Sequence, residues 1–77
     1  LVPLHAFTIG DTMGVLVLVD DSDTIAELAR RIASATTMRV APHGRPIVHV
    51  AAVDLDPADT VAASGLRALD RVDMRYG

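Results

Sequence analysis

The spacing of apolar residues changes several times along the chain, and each change predicts an element. Residues 4–9 form a short β-favouring run, Gly10-Asp11-Thr12 supplies turn chemistry, and Met13 to Val19 is almost wholly aliphatic, so the first nineteen residues read as a β-hairpin. Asp20-Asp21-Ser22-Asp23 stops the second strand. Thr24 follows with Glu27 three residues on, the spacing of a capping box in which hydroxyl and carboxylate reciprocally satisfy free N–H groups at a helix start. Ile25, Leu28, Ala29 and Ile32 stand at i, i+3, i+4 and i+7, one apolar stripe, while Glu27, Arg30, Arg31 and Ser34 occupy the other face of a helix that should end near Thr36. Arg39 to Pro46 holds Pro42, Pro46 and Gly44 and reads as a connector. A third strand is predicted over Ile47 to Ala52 and a loop over Asp54 to Asp59. Thr60 to Ala63 reads as a single helical turn closed by Gly65, with Leu66 pointing back to the core. From Arg71 to Tyr76, charged and apolar residues alternate, with Val72, Met74 and Tyr76 on the inner side of a half-buried last strand.

One helix covering one face of a mixed β-sheet is the α+β arrangement this order permits. At 77 residues there is room for one core, since a chain of this size buries only roughly 60% of its unfolded surface; residues 1–77 are therefore read as one domain. Apolar residues make up 51%, enough to fill that core and far from the composition of a disordered chain. The absence of cysteine removes disulfides and thiol chemistry and makes the cytoplasm the expected compartment. Phe7 and Tyr76 are the only aromatics and the net charge is −3, which leaves neither a base-stacking platform nor a phosphate-attracting field; no nucleic-acid partner is expected. The longest apolar stretches, Val15 to Val19 and Ile47 to Val53, fall far short of the ~20 residues of a membrane span, so no membrane role is expected.

Candidate chemistry is sparse. His5, His43 and His49 lie on a strand, a loop and another strand; only His5 and His49 are placed to meet across a sheet, and two histidines do not complete a zinc shell. Ser22, Ser34 and Ser64 lie in no nucleophile elbow. Asp20, Asp21 and Asp23 lack the glycine and bidentate glutamate of an EF-hand and read as helix-entry acids, while Gly10 and Gly14 read as turn glycines. Neither a catalytic nor a metal-binding residue is therefore assigned. A partner surface is. A sheet covered on one face should alternate, yet Val15 to Val19 is apolar at five successive positions. Counting back from Val19, which sits at the inward position before the helix, Val15 and Val17 face the core and Leu16 and Leu18 face out, as candidate partner contacts. The stretch Arg39, Val40, Ala41, Pro42 and His43 is the second candidate, for its proline-restricted backbone and for the resemblance that follows.

The order of elements resembles a ubiquitin-like β-grasp, and Ser22-Asp23-Thr24-Ile25 is similar to the entry of ubiquitin's helix. Thr60-Val61, Leu66, Val72 and Met74 match that family's core positions. The positions matched to ubiquitin's recognition patch are Val48, Asp73 and Arg75, two of them charged, and the sequence stops at Gly77 without a diglycine, so ubiquitin's own activity is not implied. A closer resemblance is to the small gamma subunit, protein B, of the toluene-4-monooxygenase type of bacterial diiron hydroxylase. It is carried by Leu4-His5-Ala6, Val17-Leu18-Val19-Asp20, Arg39-Val40-Ala41-Pro42 and Ala63-Ser64-Gly65-Leu66, in the family's order along most of the chain. The resemblance implies a non-catalytic structural subunit packed on an iron-bearing alpha subunit, with a beta subunit nearby, in an (alpha-beta-gamma)2 hydroxylase. It further implies a complex that oxidises an aromatic, alkene or isoprene hydrocarbon with O2 and NADH. The diiron centre is then expected in the alpha subunit and no cofactor in this chain: such a site takes four carboxylates and two histidines on facing helices, against one Glu and one helix here. A β-grasp also serves as a sulphur carrier or modifier acting through its C-terminus, or as a domain of a secretion apparatus; these are the alternative functions.

Overall fold

The computed structural model describes residues 1–77. Strands β1 (Val2–Thr8) and β2 (Val15–Val19) form the predicted hairpin, followed by helix α1 (Ile25–Thr36), β3 (Pro46–Val50), β4 (Val53–Asp54) and β5 (Arg71–Tyr76). The five strands make one mixed sheet in the order β2-β1-β5-β3-β4. β1 and β5 run parallel at its centre, with Ala6 beside Val72 and Thr8 beside Met74; the other pairings are antiparallel. Helix α1 lies across one face. Its stripe of Ile25, Leu28, Ala29 and Ile32 is buried against Leu4, Ala6, Val17, Val19, Val48, Val72 and Met74, with Val61 closing one end of the core. This is the ubiquitin-like β-grasp.

The helix entry shows how local chemistry becomes tertiary structure. Thr24 caps α1, its hydroxyl accepting from Glu27 N–H at 3.1 Å. Two further N–H groups of the first turn, on Ile25 and Ala26, donate to the carbonyls of Asp59 and Pro57, so the loop after β4 completes the cap. In return Val61 and Ala62 N–H donate to the carbonyls of Asp23 and Asp21, which pins the 60s turn over the core. That turn is a single one, as expected: Ser64 N–H donates to Thr60 O and the chain leaves through Gly65 at φ 81.

Some boundaries differ from the sequence reading. β1 begins at Val2 and takes in Pro3, which is harmless because the Pro3 nitrogen lies where β5 has not yet started; its carbonyl accepts from Leu69 N–H. The third strand stops at Val50 rather than Ala52. Ala51 and Ala52, at φ 49 and 68, form a two-residue hairpin turn into β4, a strand the sequence pattern does not show and whose Asp54 was expected to open a loop. Two left-handed residues suit a hairpin's twist, but alanine gives no signal for them; asparagine and glycine would. Left-handed backbone costs a non-glycine residue about 1–2 kcal/mol, partly offset by the entropy that glycine loses on folding. Ala51→Asn with Ala52→Gly should therefore stabilise the chain by about 1 kcal/mol, seen as a rise of roughly 4–8 °C in thermal midpoint by circular dichroism. An unchanged or lower midpoint would contradict the strain.

Candidate partner interface

The sheet face opposite α1 has no layer over it, and the strand registers arrange its side chains in rows. Leu16, His5 and Arg71 are neighbours across β2, β1 and β5; Phe7, Asp73, His49 and Asp54 are neighbours across β1, β5, β3 and β4; Pro3 lies beside Leu18. Charge collects on one half of this face and pairs internally. Arg75 grips Asp54 through two bonds of 2.8 and 2.9 Å and approaches His49 Nδ1 at 3.2 Å, and Arg71 reaches Asp73 at 3.1 Å. The Asp54 carboxyl is held below its usual range chiefly by the hydrogen bonds from Arg75. Arg71 also lies 4.2 Å from the centroid of the Phe7 ring, and the His5 ring is tilted against the same ring at 5.4 Å between centroids. Phe7 explains Gly14 in turn: a Cβ there would come within 2.7 Å of the ring. The β2 half is apolar and open, with Leu16 60% and Leu18 48% exposed on either side of inward Val17.

The connector after α1 is fastened to the far side of the hairpin. Arg39 Nε lies 2.9 Å from each carboxylate oxygen of Asp11, whose side chain is 2% exposed. Burial pushes the Asp11 carboxyl up, but the hydrogen bond and charge of Arg39 and the backbone N–H of Met13 outweigh it and leave the pKa lowered. Val40 is half-buried and Ala41, Pro42 and His43 are exposed, with the His43 ring 5.0 Å from that of Tyr76. Topology puts this connector and the β1–β2 turn at the same end of the sheet, where β5 finishes beside Pro46.

Comparison with known proteins decides what such a molecule is part of. The family described as toluene-4-monooxygenase system protein B (TmoB) matches residues 1–76. This chain belongs to that family. As a TmoB-family protein it is a small component of a monooxygenase hydroxylase system. It is similar to a chain of the toluene 4-monooxygenase HD complex with the inhibitor 4-bromobenzoate, at 30% identity and a TM-score of 0.90, covering 99% of this chain and 98% of that one. A chain from a structure of molecular mimicry of SUMO in DNA repair matches at 19% identity and a TM-score of 0.78, over 95% of this chain and 88% of that one; this likeness concerns the ubiquitin-like fold alone. No curated protein matches the sequence.

Several expectations about individual TmoB-family residues need correction. Val48 does not occupy an outer patch: it is 2% exposed under the helix beside Met74, and the alternation of β3 puts Ile47 and His49 on the opposite face. His5 and His49 do not meet, because β5 runs between their strands. The capping box is half-formed. Thr24 accepts from Glu27 N–H, but the Glu27 carboxylate turns to Arg30, at 2.7 and 2.9 Å, and Arg31, at 3.2 Å, since two charged donors outcompete one neutral N–H. Arg31 also donates to Leu18 O at 3.1 Å, so the polar face of the helix flanks the β2 edge. Nothing in the sequence signals that contact, which joins residues 13 apart in the chain. Ser64, for which no nucleophilic role was expected, donates its hydroxyl to Val61 O at 2.6 Å within the turn.

The Glu27 cluster makes a pH prediction. Hydrogen bonds from Arg30, opposed by desolvation and aided by Arg31, lower its pKa from 4.5 to about 2. A carboxyl depressed in the folded state stabilises above its unfolded pKa, and that contribution disappears as pH falls through the folded one. Thermal midpoints should therefore decline between pH 4.5 and about 2, and Glu27→Gln should flatten part of that decline. Identical pH profiles for both proteins would contradict the pairing.

Proposed function

We propose that this chain is the non-catalytic gamma subunit of a diiron monooxygenase hydroxylase, seated on the iron-bearing alpha subunit in an (alpha-beta-gamma)2 assembly. The assembly oxidises an aromatic or alkene hydrocarbon with O2 and NADH in the cytoplasm. The observation that carries this is the whole-length match to a chain of the toluene 4-monooxygenase complex, in sequence as well as backbone. The residues agree with a supporting role. A single glutamate on a single helix cannot supply the carboxylates of a diiron site, and the histidines lie on separate elements. No group of three or more His, Asp or Glu side chains stands close enough together to hold one metal ion, and no helix is long and apolar enough to cross a membrane. The seat consists of Leu16 and Leu18 on the open sheet face, joined at the hairpin end by the connector Arg39, Val40, Ala41, Pro42 and His43. Arg39 serves there by holding the connector to Asp11.

Co-expression of this chain with the alpha and beta subunits of its hydroxylase tests the reading. The three should co-elute on size-exclusion chromatography in equal numbers, and iron analysis of the separated subunits should find the metal with alpha. Elution of this chain alone at every salt concentration would refute the assignment.

A further inference from the structure

Strand β2 has a neighbour on one side only. His5 N–H points toward β5, donating to Asp70 O at 2.9 Å, so Pro3 and His5 turn their backbone polar groups away from β2. Their register partners Leu18 and Leu16 accordingly direct theirs away from β1. Leu16 N–H, Leu16 C=O and Leu18 N–H line an open edge, and Leu18 C=O on the same edge accepts from Arg31. Proteins blunt such edges with a charge, a proline or a bulge; Val15–Val19 carries none of these. Beside the edge runs a shallow groove whose helix wall is Arg30, Arg31, Ser34 and Ala35. The two arginines are its only charged lining, in a chain of net charge −3. Glu27 holds both, yet each guanidinium keeps further N–H donors free.

We propose that this edge is completed by strand addition: an extended, acidic segment of the large hydroxylase subunit pairs with Leu16 and Leu18 through its backbone. This rests on the proposed function and specifies how the seat is made. Pairing puts alternate side chains of the incoming strand beside Leu16 and Leu18 on the open face, where apolar residues fit. The intervening ones lie over the groove, where carboxylates meet Arg30 and Arg31. A second copy of this chain is the poorer occupant, because its own β2 edge carries only valine and leucine and would place no carboxylate over Arg30 and Arg31.

The test separates backbone from side chain. Leu16→Pro deletes the outward N–H at an edge position that tolerates proline, whereas Leu16→Ala trims the side chain and keeps the N–H. Binding to the purified alpha–beta hydroxylase should weaken at least about tenfold more for Leu16→Pro than for Leu16→Ala. Should Leu16→Pro not fold, the synthetic full chain with an ester in place of the Leu16 amide retains the side chain and lacks the outward donor, with only a weaker Val15 carbonyl besides; it should bind more weakly than the all-amide chain. Equal weakening by proline and alanine, or full-strength binding by the ester, overturns strand addition and leaves the sheet-face seat standing. Unchanged binding by Leu16→Asp with Leu18→Asp overturns the seat itself. A dimer of the free chain that Leu16→Pro dissolves assigns the edge to a second copy and also overturns the proposal.

Discussion

Replacing Leu16 and Leu18 together by aspartate should leave the isolated chain folded and release it from the hydroxylase. Both side chains point away from the helix, and neither belongs to the buried cluster that holds the sheet to α1. Outward substitutions of this kind usually change stability by no more than about 0.5 kcal/mol, with a further modest cost for aspartate in a strand. At the proposed seat on the alpha subunit the cost should be larger. Each leucine forfeits about 1.5–3 kcal/mol of apolar transfer, and each carboxylate must be desolvated without a cation opposite it. The sum is several kcal/mol, hence a loss of affinity of at least about a hundredfold. Circular dichroism of the double mutant and its co-purification with alpha and beta read the two halves separately. An unfolded mutant would mean that the leucines are core; a folded one recovered at wild-type yield would move the seat to the connector around Pro42.

Leu28→Ala should do the opposite, weakening the fold itself whatever the partner. Leu28 is fully buried midway along the helical stripe, where α1 meets the sheet. Removing its isobutyl group typically costs about 2–5 kcal/mol, transfer and residual cavity together. A domain of this length has only roughly 4–12 kcal/mol in total, at about 0.05–0.15 kcal/mol per residue. The thermal midpoint should fall by at least about 10 °C, while Ser34→Ala on the exposed face of the same helix should change little. A drop of less than about 5 °C would mean that the helix is not the principal lid of the core. The contrast between Leu28 and the Leu16–Leu18 pair tests whether buried and outward leucines divide between making the fold and the proposed assembly.

The parity of residues along α1, β2 and β5 was legible in the sequence, whereas the inward setting of Val48 on β3 was not. The 3.6-residue stripe of α1, the alternation of β5 and the outward setting of Leu16 and Leu18 are properties of a few consecutive residues, and backbone geometry alone decides which side chains share a face. The resemblance words spread along the chain similarly carried the family. What the sequence could not provide was adjacency between elements. That β5 inserts between β1 and β3, separating His5 from His49, follows from how the sheet closes under one helix, and no local pattern encodes it. The Ala51-Ala52 turn adopts left-handed backbone because β3 and β4 must pair around it, against alanine's own preference. Arg39 finds Asp11 across 28 residues, and Arg31 reaches the β2 edge, only once the helix is docked. Local periodicity assigns each residue to a face, whereas the packing of faces, driven by burial of the common apolar stripe, chooses its neighbours.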